Sequence, residues 1–241
     1  MEFQLHEEGS LFEQLTDIAT LRRAFLAVKA NKGSAGVDGV NIMTFEGNLE
    51  KELLQLKQEL HSWRYQPHPV RTVEIPKSDV GTRQLGIPCV RDRVVQAALK
   101  ALLEPIFDGR FSTQSFGFRP GRNQHQAIAA AQSFVRSGKE LVVDIDLEKF
   151  FDRIHHDRLI ARVSADIADK RIVRLIGITL RSGVMKDGLS SRKEEGVMQG
   201  SPLSPLLSNI ILDELDKEIE RRKLAFCRYA DDWAPRRNVN K

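Results

Sequence analysis

Cysteine is nearly absent: Cys89 and Cys227 are the only two in 241 residues. They are far apart, and neither has a second Cys or a His at the spacing of a zinc motif. The sequence therefore predicts two free, buried thiols, not a disulfide or a zinc site. Long apolar runs are missing as well. No stretch reaches the ~20 residues that a membrane-spanning helix needs. The opening residues, Met1-Glu2-Phe3-Gln4-Leu5-His6-Glu7-Glu8, lack the basic and apolar regions of a signal peptide. A cytoplasmic protein without a membrane partner is the expectation. Net charge is small, at +4, but it is unevenly spread. Residues 71–140 carry 11 basic and 6 acidic side chains, against 7 and 10 in residues 1–70. A basic middle attracts phosphate.

What is present reads as an α+β chain. Residues 10–31 keep Leu11, Leu15, Ile18, Leu21, Phe25 and Val28 at three- to four-residue spacing, which predicts a helix. Gly33, Gly36 and Gly39 then break the period as a loop. Thr44 to His61 predicts a second amphipathic helix, with Leu49, Leu53, Leu56 and Leu60 on one stripe. Together these make an N-terminal helical extension over residues 1–62. Residues 70–76 and 82–88 alternate as strands around a turn, a hairpin with Lys77 and Arg83 near its tip. A helix is expected from Arg91 to Phe107. Residues 111–122 are irregular and interleave Phe116 and Phe118 with Arg119 and Arg122. That mixture suits stacking on bases and gripping phosphate, and equally suits core aromatics rimmed by arginines. Another helix runs from Asn123 to Ser137 and stops at Gly138. Residues 157–181 form one or two helices, and 188–195 a polar turn region. Ser201 is expected to cap a helix that runs to Arg222.

The chemistry lies in two short runs that end in acid. In Phe226-Cys227-Arg228-Tyr229-Ala230-Asp231-Asp232-Trp233, strand alternation puts Phe226, Arg228 and Ala230 on one face. Cys227, Tyr229 and Asp231 take the other. Two adjacent carboxylates repel, and a cation that prefers hard oxygen donors, Mg2+ or Mn2+, relieves this. The run Leu141-Val142-Val143-Asp144-Ile145-Asp146 supplies a third acid. Set side by side, Asp146, Asp231 and Asp232 can hold two metals about 3.5–4 Å apart. Asp144 shares the parity of Asp146, so alternation does not choose between them.

Further blocks accompany Tyr229-Ala230-Asp231-Asp232: Leu85-Gly86-Ile87-Pro88, Ser115-Phe116-Gly117-Phe118-Arg119-Pro120-Gly121-Arg122, and Gln199-Gly200-Ser201-Pro202-Leu203-Ser204-Pro205-Leu206-Leu207. In this order they resemble the reverse transcriptase family, in particular its group II intron-encoded reverse transcriptase/maturase branch in bacteria. The resemblance implies a right-hand polymerase fold over 63–241, with fingers and a partial palm carrying an antiparallel sheet. It implies RNA-directed DNA polymerase activity, in which a dNTP is joined to a primer 3′-OH by a two-metal mechanism. RNA template, primer, dNTP and intron RNA are the implied partners, with a role in intron splicing or mobility. It also implies Asp146 as the third ligand, because an aromatic, Phe151, follows five positions later. That ring would collide with a 2′-OH. Lys77, Arg83 and Gln199 are implied nucleotide contacts, and the Leu147 carbonyl a further metal ligand.

Two departures stand out. Met198 occupies the place where the family usually has Pro before Gln-Gly. After Trp233 the tail is polar, contains Pro235, and stops where the family continues into an apolar strand, a thumb and a maturase domain. A C-terminally truncated member without a thumb is therefore expected, its acidic hairpin poorly held for want of a second strand. A catalytically inactive RNA-binding fragment is the alternative reading.

Overall fold

The computed structural model describes residues 9–76, 82–139, 141–143, 145–186, 189–191, 194–233 and 236–237. Both N-terminal helical patterns are broken once, each time at a side chain that competes for backbone hydrogen bonds. Helices α1 (Leu11–Thr16) and α2 (Ile18–Ala30) replace the single helix expected over 10–31. Between them Asp17 is extended, and its carboxylate accepts the Thr20 N–H, capping α2 instead of continuing α1. Asn48 likewise separates α3 (Ile42–Gly47) from α4 (Leu49–His61). The apolar stripe survives the break, with Leu53, Leu56 and Leu60 buried.

Strands β1 (Val70–Pro76) and β2 (Thr82–Ile87) pair antiparallel, from Arg71 opposite Ile87 to Pro76 opposite Thr82. Helix α5 (Val90–Asp108) follows and carries Pro105 near its end. Helix α6 (Gln124–Arg136) starts in a capping box between Asn123 and Gln126. After β3 (Leu141–Val142) and β4 (Ile145–Asp146), a 3-10 turn at Phe150–Arg153 leads to α7 (His156–Asp166) and α8 (Lys170–Leu180). Asp169 separates these two helices and caps the second. The expected turn region contributes to a hairpin instead, β5 (Val184–Lys186) with β6 (Leu189–Ser191). Strand β5 also pairs parallel with β1, which gives a four-stranded sheet in the order β2-β1-β5-β6.

Helix α9 (Ser204–Arg221) starts later than expected, and Ser201 does not cap it. The Ser201 hydroxyl donates instead to Gln96 Oε1 at 2.9 Å, tying the segment to α5. The largest correction comes at the end of the chain. Strand β8 (Asp232–Trp233) pairs with β7 (Arg228–Tyr229) on one side and with β4 on the other. Strand β9 (Arg236–Arg237) pairs with β3. The second strand that the polar tail was expected to lack is present, because Trp233 anchors it. Its ring is 1% exposed and its Nε1–H donates to Asp216 at 2.8 Å.

One apolar core crosses residues 62–63, joining Phe12, Leu21 and Phe25 to Val94 and Leu99 of α5 and to Leu175 of α8. A smaller cluster of Leu212, Ile219, Phe226 and Trp233 lies under the β7–β8 hairpin. Among the described residues no helix is long and apolar enough to cross a membrane. Removing the cap with Asp17→Ala is expected to lower stability by about 1 kcal/mol. Urea denaturation should show an earlier midpoint with an unchanged slope.

Candidate active site

Antiparallel register sorts the acidic hairpin into two cross-strand rows. One row crosses Ile145, Trp233 and Arg228; the other crosses Asp146, Asp232 and Tyr229. Directly opposed residues share a face of the sheet. The first row faces the core, where Arg228 and Trp233 are buried. The second row is open to solvent at Tyr229 and Asp232. Asp231 sits at the turn between the strands, half-buried, and lines a cleft of about 780 Å³. The three acid positions named by the sequence thus converge, two opposite each other and one at the adjoining turn. Asp144 lies outside the described residues.

Beneath the acids, Arg228 fixes the turn. Its Nε donates to Asp216 Oδ1 at 2.9 Å and its Nη2 to Asp216 Oδ2 at 2.6 Å. Its Nη1 donates to Asn209 Oδ1 and to the Ala230 carbonyl, each at 2.8 Å. Ala230 has a φ of 58°, in the left-handed region that a side chain disfavours. The bond to its carbonyl holds it there. Asp216 also takes the Trp233 Nε1–H, so one buried carboxylate braces both strands of the hairpin.

The outer edge of β7 is held by the loop before α6. Arg228 N–H donates to the Gln114 carbonyl and Phe116 N–H to the Arg228 carbonyl, both at 2.9 Å. Gly117 packs so closely that a Cβ there would overlap the Ala230 nitrogen. Asn209 Nδ2 donates to the Gly117 carbonyl at 3.0 Å and locks the loop to α9. Arg119 belongs to the same scaffold. Four of its five N–H donors are engaged: Nε with the Asp108 carboxylate, Nη1 with the Ser112 and Ser115 carbonyls, and Nη2 with the Asp108 carbonyl. These bonds match the structural one of the two roles that its sequence context left open. Arg122 lies over the Phe116 ring at 5.3 Å, donates to the Thr113 carbonyl, and stays half-exposed.

The cleft beside Asp231 gathers distant segments: Gln84 of β2, Phe118, Phe151 and Gln199. Phe151 is 8% exposed, and its carbonyl accepts the Val197 N–H at 2.7 Å. Its ring meets Phe118 and Phe150 edge-on, at interplanar angles of 76° and 71°. The Gln199 carbonyl accepts the Gly86 N–H at 2.7 Å, joining the β1–β2 hairpin to the loop before α9. Gly200 has a φ of 103°, and a Cβ there would overlap the Gly86 carbonyl oxygen. Glycine is required on both counts. Met198, where Pro was expected, lines the same cleft, and its carbonyl accepts the Ser204 hydroxyl at 2.7 Å. The Leu147 carbonyl accepts the Phe150 N–H at 3.1 Å, which leaves one lone pair free. Arg83 stands on β2 opposite Ile75, and Lys77 lies outside the described residues.

Sequence reasoning missed Asn209 and Asp216. Both carry a faint signal, since they lie two turns apart on the buried face of α9, among Leu212 and Ile219.

Arg228→Met should leave the Asp216 charge buried without its partner and cost about 3–5 kcal/mol. Adding Asp216→Leu should recover part of that loss. Chemical denaturation of the single and double variants measures the coupling, and purely additive losses would contradict it.

Residues 75–234 match the model of the family described as reverse transcriptase (RNA-dependent DNA polymerase). The chain is 40% identical over 229 residues to protein YkfC of Escherichia coli (strain K12), covering 92% of this chain and 60% of YkfC. It is 34% identical over 206 residues to the group II intron-encoded protein LtrA of Lactococcus lactis subsp. cremoris, covering 85% of this chain and 34% of LtrA. In fold it is similar to a chain of a partial Cas6-RT-Cas1–Cas2 complex, with a TM-score of 0.62 and 24% identity. That match covers 97% of this chain and 39% of the other. The chain thus spans less than two thirds of the length of each of these relatives.

Proposed function

This chain belongs to the reverse transcriptase (RNA-dependent DNA polymerase) family, on the branch of group II intron-encoded proteins, and from that premise we propose that it carries the catalytic core for template-directed DNA synthesis. The β1–β2 hairpin serves as fingers and the β4-β8-β7 sheet as palm. One observation carries the reading: Asp146 and Asp232 are register partners on adjacent strands, with Asp231 at the turn facing a cleft shared with Phe151 and Gln199.

The donors fit Mg2+, with Mn2+ as a substitute. Asp146 and Asp232 are register partners and Asp231 adjoins them at the turn, and hard oxygen ligands of this kind suit small hard cations. When bound, a pair of such ions supplies charge stabilisation for an in-line displacement at phosphorus. Asp146, Asp231 and Asp232 would hold the ions, and the Leu147 carbonyl would add a donor. Phe151, fixed through its backbone to Val197, presents its ring where a ribose 2′-OH would collide. Gln199 positions the nucleotide, and Lys77 and Arg83 bind its triphosphate. The substrates are a primer 3′-OH on RNA template and a dNTP. The intron RNA is a further partner, in keeping with the relative named as a group II intron-encoded protein. The half-exposed Arg122 is the nucleic-acid contact that its sequence block retains.

The test is extension of a primed RNA by the purified chain in Mg2+. Asp231→Asn keeps the shape of the side chain but removes its charge, and extension should fall by orders of magnitude. Salt-dependent RNA binding without any extension, unaffected by Asp231→Asn, would instead establish the non-catalytic RNA-binding reading. Phe151→Val should lower the dNTP-to-rNTP ratio of kcat/KM by about 10-fold or more. An unchanged ratio in a folded variant would exclude the steric role of the ring.

A further inference from the structure

We propose that His68, Cys89 and Asp92 form a binding site for a divalent ion of the Zn2+ class at the base of the β1–β2 hairpin. His68 lies two residues before β1, Cys89 two residues after β2, and Asp92 in the first turn of α5. A ring nitrogen, the sulfur and a carboxylate oxygen of these three lie within 4.8 Å of one another. A tetrahedral ion with bonds of about 2.0–2.3 Å sets its ligands roughly 3.3–3.8 Å apart. Side-chain shifts on the order of 1 Å would therefore close the set.

The surroundings are those of a built site. Cys89 is 0% and Asp92 1% exposed, and half-exposed His68 provides the way in from solvent. His68 Nδ1 lies 3.4 Å from Asp92 Oδ2, a contact that pairs their charges when the ring is protonated but falls outside good hydrogen-bond geometry. A metal ion between the neutral ring and the carboxylate would replace that proton. Asp92 is held in place by the Tyr65 hydroxyl at 2.8 Å and the His68 backbone N–H at 3.0 Å, the kind of outer contact that orients a ligand. Asp38, on the loop whose Gly36 packs against Cys89, also interacts with the thiol.

The donor set separates this site from the acidic hairpin. Thiolate and imidazole select borderline-soft ions, whereas the carboxylates around Asp231 suit Mg2+. Binding would form a sulfur–metal bond at Cys89 and release the thiol proton to solvent. The ion would join the entry and exit of the hairpin, so its base could no longer splay. None of this depends on the polymerase reading.

The full chain, stripped of metal by chelation, would be titrated with Co2+ as a spectroscopic stand-in for Zn2+. A single-site isotherm is expected, with a near-ultraviolet thiolate-to-metal band that Zn2+ abolishes and Mg2+ does not. Cys89→Ser should remove the band. His68→Gln, at a half-exposed position that the fold tolerates, should weaken Co2+ binding by about 10-fold or more. Asp231→Asn should leave both results intact, which separates this site from the catalytic acids. No band in the folded wild-type chain, or a band that survives Cys89→Ser, would overturn the proposal.

Discussion

Asp216 and Arg228 are both fully buried, and neither charge is stable there alone. Each makes the other tolerable, because the guanidinium fork meets both carboxylate oxygens and its remaining bonds go to Asn209 and Ala230. The acidic turn depends on this contact. Ala230 adopts a left-handed conformation that a side chain resists, and the Arg228 bond to its carbonyl opposes relaxation. The same Asp216 takes the Trp233 indole N–H. Losing that carboxylate would free both strands of the hairpin at once.

Around this point the fold works by close backbone approach. Gly117 lets the loop before α6 reach the turn, and Gly200 lets the loop before α9 reach the β1–β2 hairpin. The cleft is therefore assembled from segments far apart in the chain, held by main-chain hydrogen bonds and by the side chains of Arg119, Asn209 and Arg228. Rigid placement of this kind is what a site needs when its acids must hold metal ions within about 0.5 Å of a working geometry. Arg119 shows the cost of such scaffolding: a side chain with the charge to grip phosphate is committed to holding a loop.

Two sets of potential metal donors then lie on one polypeptide with different chemistry. The acids of the β4-β8-β7 sheet are hard oxygen donors, and Asp231 lines a wide cleft. The His68, Cys89 and Asp92 cluster mixes nitrogen, sulfur and oxygen in a nearly closed space beneath the hairpin. Donor hardness and enclosure, more than charge alone, keep their preferred ions apart.

The sequence by itself determined what is local. Apolar spacing placed the buried stripes of α2 and α4, alternation placed the β1–β2 hairpin, and Asn123 marked the start of α6. The two acid runs pointed to Asp231, Asp232 and a third acid at Asp144 or Asp146, between which only the family resemblance chose Asp146. The breaks at Asp17 and Asn48 were local too, but periodicity averages over single side chains that bond their own backbone. Tertiary structure decided the rest. A strand formed at Trp233 despite a polar tail, because a pocket of Leu212, Ile219 and Phe226 received the indole. Arg228 turned from a strand residue of unremarkable parity into the brace of the site, because Asp216 and Asn209 approach it from another element. His68 and Cys89, at no recognisable motif spacing, met only when the hairpin between them folded back. Spacing along a chain reports the face a side chain takes. The partner it finds there is set by burial and by contacts between segments far apart in sequence.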